Sequence, residues 1–455
     1  MIDSATLNRA AHVLRRVTED TPADAALRAE LAANRRLRPD ERRAVTRAVF
    51  AYYRWLQWLD RREPLQSQVA AAQALQARFD KNPAGIKPET LAERAVPVWL
   101  REVFAPSADY LRQLQREPAL WLRTRTGQTA AFARALGDCA PPPPAAAALF
   151  ASFGFRVLGS EPKTQNAEPK TLPALRSLGE TGNPKPKAAI LAALRYTGSR
   201  DLFRTEAFQA GLFEIQDLAS QLVGHACVPQ PGQTWWDACA GEGGKTLHLA
   251  DLMQNKGLVW ATDRSARRLA LLQRRAARAQ VFNYRSAAWD GSALLPTKTK
   301  FDGILVDAPC SGVGTWQRNP HARWTTTPAD VRELAAIQRT LLEHVAPALK
   351  PGGRLIYAVC TLTHSETIAV TESFTAAHPE FEPSPVFGAA EVACREPIEP
   401  ADPGADPQLS ALPSGLSAPQ SLSPSLPSAT LHSQLLLLPH ELNANGMFLA
   451  AWRRR

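Results

Sequence analysis

A chain of 455 residues is more than one ordinary hydrophobic core organises, so two or three domains are expected. The formal charge of +10 points to a polyanionic partner, RNA or DNA. No run reaches the ~18 apolar residues of a membrane span, and Met1–Ala11 carries no secretory apolar region. The six cysteines (139, 227, 239, 310, 360 and 394) include no C-x-x-C pair, which argues against a zinc site, a thioredoxin motif or a disulfide framework. A cytoplasmic, monomeric protein with reduced thiols is the expectation.

Residues 1–135 read as helical. Ala10, Val13, Leu14 and Val17 share one helix face, and Leu27, Leu31, Val45, Val49, Tyr52, Tyr53 and Leu56 continue the pattern. Arg9, Arg15, Arg16, Arg35, Arg36, Arg38, Arg42, Arg43, Arg47 and Arg54 fill the other faces. Such a run is either a solvated face or a phosphate-binding one; Tyr52, Tyr53, Trp55 and Trp58, read as exposed, favour the second. Pro141–Pro144 break the chain, and 159–188, rich in Pro, Lys, Thr and Asn, reads as a flexible insert within a 136–188 linker. A small subdomain, 189–232, follows, with a helix expected over Phe213–Val223. A catalytic core, 233–455, then contains a second low-complexity insert at about 397–432. Leu435–Leu438 and Met447–Trp452 read as strands joined through Asn445-Gly446, a hairpin signal.

Inside the core, T-W-W-D-A-C-A-G-E-G-G-K-T (234–246) reads as strand, glycine-rich turn and helix start, the helix running Lys245–Met253. The next strand, Leu258–Thr262, ends in Asp263, placed to hold both hydroxyls of a ribose or to cap the helix Ser265–Gln280. Asp290 follows the next sheet edge and suits an adenine amino group. Neither G-x-G-x-x-G nor a P-loop is present, which argues against NAD and ATP and fits an adenosyl ligand without phosphates, S-adenosylmethionine.

F-D-G-I-L-V-D-A-P-C-S-G-V-G-T (301–315) is a buried-strand run stopped by Pro309, with Asp307 and Cys310 at its carboxyl end. R-L-I-Y-A-V-C-T (354–361) repeats the design and ends in Cys360. Between them Val331, Leu334, Ile337, Leu341, Leu342 and Val345 mark a helix over Pro328–Leu349, closed by Lys350-Pro-Gly-Gly. Strand, helix, strand makes a parallel βαβ unit with both cysteines at its ligand edge. Each cysteine alone is most simply a small buried hydrophobe. Two at neighbouring strand ends beside a cofactor loop point to thiol chemistry.

D-A-C-A-G-E-G-G-K-T, V-D-A-P-C-S-G-V-G-T, R-N-P-H-A-R-W and Y-A-V-C-T-L together resemble the Sun/RsmB group of S-adenosylmethionine-dependent RNA cytosine-carbon-5 methyltransferases over about 190–455. The resemblance implies a Rossmann-like class I methyltransferase core. It also implies a NusB-like all-α RNA-binding domain at the N-terminus. Cys360 would be the nucleophile and Cys310 would assist breakdown of the adduct, with Asp307 and Lys245 in support. Cys239, Ala240, Gly241, Glu242, Gly243, Gly244, Lys245, Asp263, Asp290 and Asp307 would line the cofactor. Glu242 stands where most members have proline, Arg125 where the rRNA enzymes usually have Asn, and Ala358 where serine is common. Arg318, Asn319, Arg323 and Trp324 read as an RNA-contacting loop, and His321 and His364 as incidental. No metal is expected. The implied reaction is methylation of carbon 5 of a cytosine in 16S rRNA. The same chemistry on tRNA, or a non-catalytic assembly factor, are the alternatives.

Overall fold

The computed structural model describes residues 3–152, 191–387 and 433–455. The inserts expected at 159–188 and 397–432, and Cys394, lie outside the described residues. The chain begins with seven helices, Ser4–Arg15, Ala23–Ala33, Pro39–Arg54, Leu65–Lys81, Pro88–Arg94, Val98–Val103 and Ala108–Leu114. The Asp3 side chain accepts from Thr6 N at 2.8 Å and starts the first of them. Ala10, Val13, Leu14, Val45 and Val49 meet in one apolar cluster, as their spacing requires. The aromatics expected on the surface do not lie there. Tyr52, Tyr53 and Trp55 are buried in the same cluster with Trp58 packed against it; Tyr52 and Tyr53 share the helix face of Val45 and Val49 rather than the arginine face, and Trp55 and Trp58 follow in the cap and the turn that close the helix. Arg54 is buried too and donates to Gln76 Oε1 at 3.1 Å, while Arg15, Arg16, Arg35, Arg36, Arg38 and Arg47 are exposed.

The helical run ends at Leu114, short of the expected 135. Strands β1 (Leu120–Thr124), β2 (Cys139–Ala140), β3 (Ala193–Tyr196) and β4 (Phe213–Ile215) form an antiparallel sheet of order β2-β3-β1-β4. β1 pairs with segments some seventy to ninety residues further on, Leu122 opposite both Leu194 and Ile215, so no local periodicity announces it. The helix expected over Phe213–Val223 divides for the same reason. Its start is β4, and the helix itself runs Leu218–Cys227, begun by the Asp217 side chain accepting from Ala219 N at 3.0 Å.

The second sheet contains β5 (Thr234–Asp237), β6 (Leu258–Asp263), β7 (Tyr284–Ala288), β8 (Phe301–Asp307), β9 (Leu349–Val359), β10 (Phe381–Pro383), β11 (Gln434–Leu437) and β12 (Met447–Arg454). Its order is β10-β12-β9-β8-β5-β6-β7, with β11 also on β12. β9, β8, β5, β6 and β7 are parallel and β12 is antiparallel to β9. Successive residues feed opposite faces. Trp235, Leu305, Ile356 and Leu449 pack under the helices Leu218–Cys227 and Gly244–Leu252. Trp236, Ile304, Val306, Leu355 and Tyr357 pack under Pro328–Val345 and Ile368–Ala377. Both faces are covered, which is why the strands read as unbroken apolar runs. The order in which strands are added reverses between β5 and β8, and the carboxyl ends of these parallel strands flank the crevice where such sheets bind ligands.

β11 and β12 pair antiparallel, Leu437 opposite Met447. Their connection is not a two-residue hairpin: a short helix, Pro439–Leu442, intervenes, and Asn443 rather than Asn445 takes the positive φ. Gly446 N donates to Gly314 O at 2.8 Å, and Gly314 N to Cys360 O at 3.0 Å. A Cβ on Gly314 would lie 2.4 Å from Gly446 O, so only glycine fits where the two cysteine-bearing turns and the C-terminal segment meet. Among the described residues, no helix is long and apolar enough to cross a membrane, and no group of three or more His, Cys, Asp or Glu could hold a metal.

Candidate active site

β8 ends at Asp307 and β9 at Val359, so the turns after them set Cys310 and Cys360 side by side. The sulfurs are 3.3 Å apart. A thiol–thiol contact this close shares one proton well, and the surroundings decide which sulfur keeps it. Lys245 and Arg318 act on Cys360; the carboxylate of Glu366 acts on Cys310. The hydrogen bond between the two sulfurs, aided by these cations, holds the Cys360 thiol below its ordinary pKa against burial and Asp307. The same bond, then burial, the charge of Cys360 and Glu366, push Cys310 well up. These influences favour negative charge on Cys360 and the proton on Cys310, an asymmetry that the similar strand-end settings in the sequence leave open.

Lys245 Nζ donates to Asp307 Oδ2 at 2.6 Å. Burial disfavours the ammonium, and Asp307 outweighs it, so the Lys245 pKa is raised and the side chain stays charged. Gly243 has φ +86°, turning β5 sharply into the helix Gly244–Leu252. At Gly244 a Cβ would meet only Gln216 Nε2, at 3.8 Å, so the helix start is open on that side. Asp263 Oδ2 accepts from Gly241 N (2.9 Å) and Arg268 (3.2 Å), and Oδ1 accepts from Ser265 N (2.9 Å). Ser265, not Asp263, caps the following helix, Ala266–Arg278. Asp290 is exposed two residues beyond β7, its Oδ1 accepting from Ser292 N at 2.9 Å. Cys239 is half-buried and burial raises its thiol pKa; Ala240 N donates to Thr262 O. Glu242 is exposed, and its carbonyl, not its carboxylate, is held by Arg275. Asp237, fully buried at the end of β5, accepts from Thr246 Oγ1 at 2.7 Å, and its Oδ1 has no partner among the described residues. Carboxylates at three successive strand ends, an open helix start and an orphaned buried oxygen fit a cationic adenosyl ligand such as S-adenosylmethionine.

The expected RNA loop divides. Arg318 is exposed, with its charge acting on Cys360, and Asn319 is partly exposed. Arg323 is fully buried, donating to Ala95 O and Leu114 O at 2.9 Å each. Trp324 packs on the N-terminal helices with Nε1 on Tyr53 O at 2.7 Å. Neither presents its polar end to a ligand; both fasten the helical region to the core, and the reading of them as RNA contacts is corrected. His321 packs edge-on against Tyr53, and His364 is exposed. Arg125 is also a fastener, donating to Gly211 O and to Asp251 at 3.2 Å each.

Three contributors escape sequence reasoning. Arg268 lies against Asp263 and over Gly241, its Nη2 2.4 Å from where a Gly241 Cβ would be. Asp237 is the second. Glu366 is the third, and only its position six residues after Cys360 could have drawn attention to it. Val313, Trp316 and Leu362, which follow the two cysteines, pack with Leu91, Leu100, Tyr110 and Leu114, so the helical region buttresses the site directly.

The parallel sheet reversing at β5, the glycine turn and the strand-end carboxylates define a Rossmann-like methyltransferase core. Residues 225–453 match the model of the 16S rRNA methyltransferase RsmB/F family, and the chain belongs to that family. It is 40% identical over 181 residues to the probable ribosomal RNA small subunit methyltransferase B of Bacillus subtilis, covering 39% of this chain and 40% of that one. It is 37% identical over 165 residues to the mouse tRNA (cytosine(72)-C(5))-methyltransferase NSUN6, covering 33% of this chain and 34% of the relative. The matched part therefore spans about two-fifths or less of these relatives' lengths. Among solved structures, the fold resembles PH0851 with a TM-score of 0.66 at 19% identity, all of both chains being covered. It also resembles a methyltransferase homolog protein from Pyrococcus horikoshii, with a TM-score of 0.54 at 21% identity, covering 78% of this chain and 92% of that one.

Proposed function

We propose that the protein methylates carbon 5 of a cytosine in RNA, in the small-subunit rRNA, through a covalent bond between Cys360 and carbon 6 of the base. The observation that carries this is the sulfur pair, 3.3 Å apart, with Cys360 drawn toward the thiolate and Cys310 held as the thiol. Carbon 5 of cytosine is a weak nucleophile. Addition of the Cys360 thiolate to carbon 6 makes it enamine-like and splits one difficult step into two. S-adenosylmethionine, when bound, supplies an electrophilic methyl group on a sulfonium. Asp307, steadied by Lys245, would hydrogen-bond the exocyclic amine or the protonated ring nitrogen of the base as charge develops. After transfer, the carbon 5 proton leaves to a base, the electron pair re-forms the ring double bond, and the Cys360 sulfur departs as thiolate. Cys310, or a water it orders, would assist that step. Asp263 and Asp290 would hold the ribose and adenine of the cofactor. The helical region, in the manner of a NusB-like domain, together with Arg318 and Asn319, would hold RNA.

The test is a denaturing gel of in vitro transcribed small-subunit rRNA, cofactor and variant protein. Cys310→Ala should accumulate a slow RNA–protein band, because attack and transfer proceed without release; Cys360→Ala should give none. The reverse pattern would exchange the roles, and no band from either with methylation intact would remove covalent catalysis. A tRNA substrate is the second reading, favoured by the similarity to the mouse tRNA enzyme; a band with tRNA and none with rRNA would establish it.

A further inference from the structure

Behind the two cysteines lies a buried carboxylate to which the steps above assign no role of its own. Glu366 is fully buried in the turn that follows Cys360. Its Oε1 accepts from Ser311 N at 2.8 Å and from Gln338 Nε2 at 3.1 Å. Its Oε2 accepts from Ser311 Oγ, from Thr361 Oγ1 at 3.0 Å and from Thr363 Oγ1 at 2.8 Å. Ser311 follows Cys310, and Thr361 follows Cys360. Gln338 also donates to Pro309 O at 2.9 Å, and the Tyr357 hydroxyl to Glu366 O at 2.6 Å. The carboxylate makes no ion pair among the described residues. Burying an unpaired carboxylate costs several kcal/mol unless hydrogen bonds replace its water. Five donors do so here, which is more than packing alone explains.

We propose that Glu366 is the positioning residue of the cysteine pair: by gripping the residue after each cysteine it fixes Cys310 as the hydrogen donor to Cys360. The inference rests on the reading of Cys360 as nucleophile and adds what makes two similar thiols unequal. The charged and titratable groups around the pair are Lys245, Asp307 and Arg318, which act on Cys360, and Glu366 and Tyr357 on the Cys310 side. A proton on Cys310 shields its sulfur from Glu366, and a thiolate on Cys360 faces the two cations. Without the carboxylate charge that preference weakens, and without the tether the 3.3 Å contact loosens.

The experiment is iodoacetamide alkylation of the full chain without cofactor or RNA, the Cys310 and Cys360 peptides being followed by mass spectrometry. In the wild type Cys360 should react at least about tenfold faster than Cys310 near neutral pH, since thiolate fraction governs the rate. Glu366→Gln keeps the shape but loses the charge and turns a donor toward donors. The Cys360-to-Cys310 rate ratio should fall by about tenfold, and the alkylation midpoint of Cys360 should rise by about one pH unit. General loosening of the fold would speed both cysteines together and leave the ratio alone. Should the Gln variant not fold, Glu366→Asp, charged but too short to hold both turns, should still lower the ratio by about threefold. A selective wild type with an unchanged ratio in the folded variants overturns the role of Glu366. Equal rates in the wild type overturn the nucleophile assignment itself, and the proposal with it.

Discussion

Asp237→Asn should make the protein more stable at alkaline pH than at acid pH, relative to the wild type. Asp237 is fully buried, and among the described residues its side chain accepts a hydrogen bond only from Thr246. Burial pushes its pKa up from 3.8 to about 7, the Thr246 bond working against the rise, and Asp307, Lys245 and Asp263 adding smaller opposed effects. A rise of about three units corresponds to roughly 4 kcal/mol. The sign follows from proton counting. Between pH 4 and 7 the folded state holds a proton on Asp237 that the unfolded chain has released, so stability falls as pH rises through this window and levels off above it. Asn keeps the oxygen that accepts from Thr246 and carries no charge at any pH. Its amide hydrogens meet the same partnerless space as Oδ1, which costs about 1–3 kcal/mol at every pH and cancels from the comparison. The difference in unfolding free energy, variant minus wild type, should therefore grow by up to about 4 kcal/mol from pH 4 to pH 8. Urea unfolding followed by tryptophan fluorescence reads it, Trp235 and Trp236 being buried beside the site. Parallel pH profiles for the two proteins would refute the reasoning and mean that Asp237 is ionised and solvated in the folded state.

Asp263→Ala removes a carboxylate that would accept from two ribose hydroxyls, so affinity for S-adenosylhomocysteine by calorimetry should fall by about 100-fold, at about 1.5 kcal/mol for each charged hydrogen bond; undiminished affinity would sink the assignment. Arg323→Ala strips the donors from Ala95 O and Leu114 O, both held at 2.9 Å. Two buried carbonyls left bare should cost about 3 kcal/mol and open the connection after Leu114 to limited proteolysis. Arg318→Ala, at an exposed site, should leave the melting temperature within a degree or two, about 0.5 kcal/mol, and weaken RNA binding instead. A surface-like response from Arg323→Ala would put it back among the RNA contacts.

What could be read in the sequence was what neighbours along the chain decide. Pro309 stops β8 because it has no backbone donor, and that single constraint fixes where Asp307 and Cys310 emerge. Gly243 allows the turn that starts the helix at Gly244, and the helix between β8 and β9 is long enough to show its period. Hence the parallel unit with both cysteines on one edge, and Asp263 at the next strand end, were legible from residue type and spacing. β1 was not, because it becomes a strand only by lying between β3 and β4, and alone it continues the helical region.

The misread residues follow the same logic on the scale of side chains. In R-N-P-H-A-R-W, arginine and tryptophan side by side look like a base-stacking and phosphate-gripping loop. Whether an arginine meets phosphate or carbonyl depends on what covers it, and Arg323 is covered by helices more than two hundred residues earlier, whose chain ends at Ala95 and Leu114 offer bare oxygens. Glu366 is the converse. An isolated glutamate after a turn looks like solvent-facing polarity, and its burial is affordable only because donors from 311, 338, 361 and 363 converge on it. Those donors come from the turns after β8 and β9 and from the helix between them. The element that holds the two sulfurs together is thus assembled by the same βαβ unit that delivers them, so a change that loosens Pro328–Val345 against the sheet should reach the cysteines through Gln338 and Glu366 before it reaches the cofactor loop at Gly241–Lys245.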